Sequence, residues 1–405
     1  MKEKRLPLEG IRILDFTWAW AGPQATLLLA LMGAEVIKVE SKRRLDHSRL
    51  RSLVAGPSMS GPDASFIFNT LNLNKLSVTL NLSKPEAIEI AKSLAEISDV
   101  VAQNMRPGVL ERLGLGYEDL KAVKPDIIML SSSAVGATGP ERLYTGYAPT
   151  FAAMGGMAYI TGRVGGRPAP LMGTIDLRVG STGTFAVLAA LYHRKLTGEG
   201  QHIDLSSAEA VSALMGDAFM DYAMNGRVQE RAGNRDRAMA PHAVYHCRDN
   251  KWVSIAVGSE AEWRALCGVV GDARLVDDER FADAFGRWQN QEALDEVIGE
   301  WTAGRTPVEV MEALQAAGVA AMPVYSGEEI VTDRHVLARG VIEEVEHPLM
   351  GTKKVLGPPW RLSKTPARVL RHGPLLGQHN DYVLGELLGM SKDDIARLSA
   401  AEVLY

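Results

Sequence analysis

Cysteine is scarce: the 405 residues contain two, Cys247 and Cys267. Two cysteines without close pairing build neither a disulfide framework nor a zinc site, and their scarcity fits a reducing compartment. An excess of positive charge is also missing, with 44 Lys and Arg against 49 Asp and Glu, a net charge of −5 and a pI near 6.0. The chain therefore has no global attraction to nucleic acid, and an anionic ligand must be held by a local basic patch. No apolar run reaches membrane-spanning length, because the stretch from Ala25 meets Gly33 and Glu35. Residues 1–10, Met-Lys-Glu-Lys-Arg-Leu-Pro-Leu-Glu-Gly, lack the apolar core of a signal peptide, so a cytoplasmic location with no membrane partner is expected. G-x-x-x-x-G-K-[ST], G-x-G-x-x-G after a strand, H-E-x-x-H and G-x-S-x-G are all absent. Their absence disfavours P-loop NTPases, simple dinucleotide enzymes, zincins and the common α/β-hydrolases.

What is present is the composition of a globular protein, 46% hydrophobic and 23% charged, at a length that suggests two or three domains. Strand and helix signals alternate through the first part. Residues 11–16, 35–40, 76–82, 99–102 and 126–130 read as strands, and 22–33 and the segment opened by Ser83-Lys-Pro-Glu86 read as helices. This alternation predicts a parallel sheet with helices on its faces. A long helix is expected from about Leu177 to Lys195, followed by a strand over 201–205. Residues 225–325 have a different texture, two short strands and several helices, and read as a smaller α+β domain. The chain thus divides into 1–224, 225–325 and 326–405, with strand candidates near Gly357-Pro-Pro-Trp360 in the last part.

Gly173-Thr-Ile-Asp176-Leu-Arg-Val-Gly180-Ser-Thr-Gly183 is the most informative segment. A carboxylate at the start of a long helix is kept ionised by the positive end of the helix dipole and by free N–H groups. Neighbouring glycines permit close approach of a ligand. Such a carboxylate can attack an acyl carbon and form an anhydride. On this segment alone, a plain N-cap role for Asp176 stands beside the catalytic one.

Further segments follow in a fixed order: Asp15-Phe-Thr-Trp-Ala-Trp-Ala-Gly-Pro23, Met32-Gly-Ala-Glu-Val-Ile-Lys-Val-Glu40, Asn74-Lys75, Asn104-Met-Arg-Pro-Gly-Val-Leu-Glu-Arg-Leu-Gly114, Ala189 to Ser206, and Pro374-Leu-Leu-Gly-Gln-His-Asn-Asp381. Over nearly its whole length the chain resembles the class III CoA-transferases, a family that also holds α-methylacyl-CoA racemases and formyl-CoA transferases. The resemblance implies an α/β fold, with a large Rossmann-like domain built from both chain ends, a smaller α+β domain, and an interlocked dimer. It implies coenzyme A and acyl-CoA as substrates, a carboxylic acid acceptor and no metal. Asp176 would be the nucleophile, passing through an aspartyl-acyl anhydride and an aspartyl-CoA thioester. A homodimer or a heteromer with a paralogous subunit is expected, and no nucleic acid.

By the same resemblance Arg43, Arg44, Lys75, Asn104, Met105 and Arg112 fall on CoA-contact positions, with Arg49 and Arg51 extending the basic patch. Arg suits phosphate through its rigid fork and Lys as a point charge. Trp18, Trp20 and Tyr147 fall on acyl-site positions, and two indoles suit a bulkier or more aromatic acid than formate or oxalate. The wording around Trp18 and Asp46-His-Ser-Arg49 resembles transferases of the benzylsuccinate type, which use succinyl-CoA. Two departures stand out. Racemases carry a histidine base where Tyr147 stands, which disfavours racemisation. The run of glycines that forms a lid in formyl-CoA transferases is missing from residues 233–241. A racemase or isomerase, and a non-catalytic acyl-CoA-binding subunit, remain the alternatives.

Overall fold

Short β-branched and aliphatic runs build a parallel sheet of six strands in the first part of the chain. The strands are β1 (Arg12–Asp15), β2 (Glu35–Glu40), β3 (Leu76–Thr79), β4 (Val100–Gln103), β5 (Ile128–Ser133) and β6 (His202–Ser206). Helices α1 (Ala21–Leu31), α2 (Pro85–Glu96) and α3 (Thr174–Thr197) run between them. The strand order is β3-β2-β1-β4-β5-β6, and each pairing is parallel. This is a doubly wound sheet whose order reverses between β1 and β4, where such sheets leave a crevice outside the carboxyl ends of the strands. The strand and helix readings of the first part are matched to within a few residues in the computed structural model, which describes residues 5–50 and 61–405.

Packing explains why the sheet is buried on both faces. Ile13 and Leu14 of β1 and Val100 and Val101 of β4 are fully enclosed, and they serve two separate clusters, one on each side. Nearly every residue of α1 is buried, so the helix carries no polar face of its own. Glycines on α3 allow it to lie close against α1. A Cβ on Gly180 would stand 2.6 Å from Gln24 Cγ and 2.9 Å from the Ala21 carbonyl oxygen.

The C-terminal motif closes the open edge of the sheet. His379 N–H donates to the Ser77 carbonyl at 3.0 Å, and Ser77 N–H donates back to His379 Nδ1 at 3.1 Å. Asn380 Oδ1 then accepts from Thr79 N–H at 2.9 Å. An unpaired edge of β3 is thereby covered by loop rather than left as a template for association. Asn74, at φ 66°, ties the same region down by accepting from Leu370 N–H and Arg371 N–H and donating to Ala30 and Arg368 carbonyls.

The chain divides into two units. One comprises Met1–Ala158, Pro170–Arg227 and Ala338–Tyr405, and the other Tyr159–Ala169 and Val228–Leu337. The second unit has its own antiparallel sheet, β7 (His242–Cys247), β8 (Lys251–Ala256) and β9 (Ala320–Pro323), in the order β7-β8-β9. Its core includes Val253, Ile255, Trp263, Phe281, Leu294 and Ile298. Cys247 and Cys267 are buried there, and burial pushes both thiols up. The strands expected near residue 357 lie earlier, as the hairpin of β10 (Ile342–His347) and β11 (Gly351–Leu356). Pro358 and Pro359 have no N–H to give to a ladder, so the strand stops before them.

His379 is half-buried, and burial first, then Arg371 and His372, pulls its imidazole down to about 4 from an ordinary 6.5. Protonation would also remove the acceptor used by Ser77. Between pH 6.5 and about 4 the unfolded chain holds a proton that the folded chain does not. Stability therefore falls as the pH drops through that window and is unaffected by this group above it. Denaturant unfolding measured across the window should show that slope, and His379→Gln should flatten it.

Candidate active site

The turn after β1 is fixed by buried charge. Asp15 ends β1 with its carboxylate fully enclosed. Its Oδ1 accepts from Thr17 N–H at 2.8 Å and from the Thr17 hydroxyl at 2.5 Å, and its Oδ2 accepts from Thr26 at 2.7 Å and Lys75 at 3.1 Å. Burial works against its charged form, yet Lys75 and Lys38 hold the carboxyl below the usual range. Lys38 reaches the other side of the turn, donating to the Thr17 carbonyl at 2.6 Å and pairing with Asp46 at 3.1 Å. Asp46 Oδ1 in turn accepts from Ala19 N–H at 2.9 Å and Ser48 N–H at 2.8 Å. Ala19 is held at φ 69°, a conformation that alanine adopts only when its surroundings impose it.

This clamp presents Trp18, Ala19, Trp20 and the first turn of α1 to a cavity of about 880 Å³. The post-β4 segment forms a second wall. Asn104 joins the two walls reciprocally, accepting from Trp18 N–H at 2.9 Å and donating to the Trp18 carbonyl at 2.8 Å. The cavity therefore sits at the crevice that the strand order creates between β1 and β4. Ser132 and Ser133 at the end of β5 line it as well.

Asp176 lines this cavity and is half-buried. Gly173 occupies the N-cap and Asp176 is the third helical residue of α3, so the N-cap reading of this aspartate is corrected. Helix formation begins earlier than expected because Gly173, at φ 61°, supplies the turn. The first-turn position still sets the carboxylate beside the positive end of the dipole. Asp176 is the only acidic side chain lining the cavity among the described residues, against Arg44, His47, Arg106 and Arg112. No ion pair with an acidic side chain is formed by Arg44, Arg106 or Arg112 among the described residues. The half-buried His47 and the exposed Arg44 flank Trp18. The His47 ring lies 4.8 Å from that of Trp18 and is stacked at 6.1 Å on Tyr147, and the Arg44 guanidinium lies 4.3 Å above the indole of Trp18.

The expected residues divide accordingly. Trp18, Trp20, Tyr147, Arg44, Asn104, Met105 and Arg112 line the same cavity as Asp176. Asn104 does so with both ends of its amide engaged by Trp18. Lys75 does not line it. Its ammonium is fully buried beneath α1, bonded to Asp15, Thr26 and the Pro23 carbonyl, and burial pulls it down to about 8. Arg43 points elsewhere, 3.4 Å from the Ser83 hydroxyl. Arg49 is enclosed and bidentate to Glu40, so it cannot extend a phosphate patch. Arg51 lies outside the described residues. His47 and Arg106 were not singled out by sequence, although both sit within the recognised motifs. No histidine was expected beside Tyr147, and the ring of His47 stacks on it.

The model of CoA-transferase family III matches residues 8–380. The chain belongs to this family. It is 36% identical over 403 residues to the succinyl-CoA–D-citramalate CoA-transferase of Chloroflexus aurantiacus, covering 98% of each chain. It is 34% identical over 403 residues to the beta subunit of a succinyl-CoA–L-malate CoA-transferase from the same organism, again covering 98% of each. A solved CaiB/BaiF family protein from Brucella suis superposes with a TM-score of 0.85 at 29% identity, over 95% of this chain and 100% of that one. The protein is thus a family III CoA-transferase, an enzyme acting on CoA thioesters and carboxylic acids. No described helix is long and apolar enough to cross a membrane.

Within this transferase Lys75 is a structural cation. Lys75→Ala removes one partner of a fully buried pair and should lower unfolding free energy by roughly 3–5 kcal/mol, because Asp15 is left buried beside one fewer cation. Chemical denaturation checks the value. A contact to CoA would instead raise the KM for the CoA thioester with stability unchanged.

Proposed function

We propose that this enzyme moves CoA from succinyl-CoA to a second dicarboxylic acid, with Asp176 as the covalent carrier. One observation carries the reading: among the described residues one half-buried carboxylate, at a helix N-terminus, shares a cavity with three arginines and a histidine. The relatives supply the class of acid, since both use succinyl-CoA and a C4 or C5 dicarboxylate.

Asp176 attacks the thioester carbon of the donor. A C–O bond forms, the C–S bond breaks, and CoA leaves as thiolate with an aspartyl-succinyl anhydride behind it. The thiolate then attacks the aspartyl carbonyl and expels succinate, giving an aspartyl-CoA thioester. The acceptor carboxylate attacks that carbonyl, releasing thiolate and forming a second anhydride. Attack of the thiolate on the acceptor's acyl carbon yields the new thioester and restores Asp176. Each step exchanges one activated acyl group for another, so no net activation is needed. The exposed arginines Arg44, Arg106 and Arg112 suit the phosphates of CoA, which remain near solvent.

The three rings of Trp18, Trp20 and Tyr147 at the same cavity favour a bulky or aromatic acceptor such as benzylsuccinate as a second reading. His47 beside Tyr147 gives a racemase its missing base, and deuterium exchange at the acyl α-carbon would reveal that activity. For assembly, Phe185, Tyr192 and Leu196 lie exposed on α3, and Phe219, Tyr222 and Met224 on α4 (Gly216–Asn225). Apolar faces of this extent suit a second copy or a paralogous subunit.

Mixing the enzyme with succinyl-CoA and measuring intact mass should reveal a covalent adduct. Asp176→Asn should abolish both adduct and turnover, the latter by at least about a thousandfold. Turnover that survives the substitution would remove the carrier role and leave acyl-CoA binding.

A further inference from the structure

A dicarboxylic acid brings a problem that its reacting carboxyl does not solve. Its second carboxylate enters a cavity whose lining includes Trp18, Met105, Tyr147 and Phe151 beside a few neutral polar groups, and an anion left unpaired there is disfavoured. Among the described residues four basic side chains line the cavity, and their burial separates them. Arg44, Arg106 and Arg112 are exposed, whereas His47 is half-buried like Asp176. The half-buried Asp176 and His47 suit a short acyl chain, and the exposed arginines suit the larger, solvent-facing phosphates.

His47 is also built to present a hydrogen-bonding edge. Its ring lies beside those of Trp18 and Tyr147, and neither ring nitrogen has a hydrogen-bond partner among the described residues. The backbone around it is fixed on both sides of the site. The Asp46 carboxylate accepts from Ser48 N–H just after His47 and from Ala19 N–H in the facing turn, and Lys38 neutralises it. The imidazole is therefore held at a set distance from the wall that carries Trp18. An anchored side chain with an open N–H edge discriminates well, because a ligand lacking the matching acceptor leaves that edge unsatisfied.

We infer that His47 is the specificity-determining residue for the acid, donating a hydrogen bond to the second carboxylate of a dicarboxylic substrate. The inference rests on the transferase reading above and names the group that selects the acid. Tyr147 and Trp18 act through it by holding the ring.

The test compares glutarate with valerate as acceptors, which match in carbon number and differ in the second carboxylate, at saturating succinyl-CoA. The wild type should favour glutarate in kcat/KM. His47→Ala should lower glutarate kcat/KM about ten- to a hundredfold while valerate changes less than about threefold, and His47→Gln, which keeps an N–H donor, should recover part of the preference. An equal loss for both acids assigns His47 to folding or chemistry and overturns the inference. So does an unchanged preference in His47→Ala, or a wild type that treats the two acids alike. Adduct formation from succinyl-CoA is followed in the same variants. Its absence from the wild type means that the carrier reading has failed, whereas adduct with an unaltered acid preference in His47→Ala means that this inference alone has failed.

Discussion

The buried carboxylate of Asp15 is the constraint on which the site depends. It lies at the carboxyl end of the central strand with no exposure, and four donors converge on it from the following turn, from α1 and from β3's Lys75 neighbourhood. Enclosing an ion pair such as Asp15–Lys75 gains little stability, because desolvation offsets the attraction. Its value here is conformational. With Asp15 charged, the Thr17 N–H and hydroxyl must face inward, and the turn is forced outward at Trp18 and Ala19. Lys38 and Asp46 repeat the device one layer further out, and together they hold Ala19 in a backbone conformation that an unrestrained alanine avoids.

That clamp matters because the strand order alone makes only a crevice. A doubly wound sheet leaves space where β1 and β4 diverge, whatever its chemistry. Asn104 turns the space into a walled cavity by tying the post-β4 segment to Trp18, and the close approach of α3 to α1 at Gly180 brings the first turn of α3 to its rim. One acidic side chain then faces several basic ones. The arrangement concentrates positive potential around that carboxylate.

The layers of the fold were legible because hydrophobic period and turn chemistry are local. Strands such as 35–40 and the Pro-initiated helix at 85 follow from residues within a few positions of each other. That Asp176 opens a long helix was legible for the same reason, since its glycines and that helix are neighbours in sequence, although it stands three positions beyond the N-cap. What could not be read was the partner of each polar residue. Lys75 and Arg49 carry charges that suit phosphate, and nothing local announces that Asp15 and Glu40 consume them. Arg43 and Arg44 are adjacent and chemically identical, yet only Arg44 lies over Trp18, because the turn sends consecutive side chains apart.

The distinction bears on how motifs in this chain should be weighed. The residues that make its segments recognisable, Asp15, Lys38, Asp46, Asn74, Lys75, Asn104 and His379 among them, are mostly engaged with backbone or with one another, and they fix turns and seal an edge. They specify that a cavity exists at this crevice. The side chains left to face a ligand, His47, Tyr147, Arg44 and Arg106, project from positions whose backbone those residues hold but whose identity they do not dictate. A substitution there leaves the clamp in place, whereas one in the clamp costs the turn itself. Relatives that share succinyl-CoA and differ in the second acid are consistent with such a division of labour.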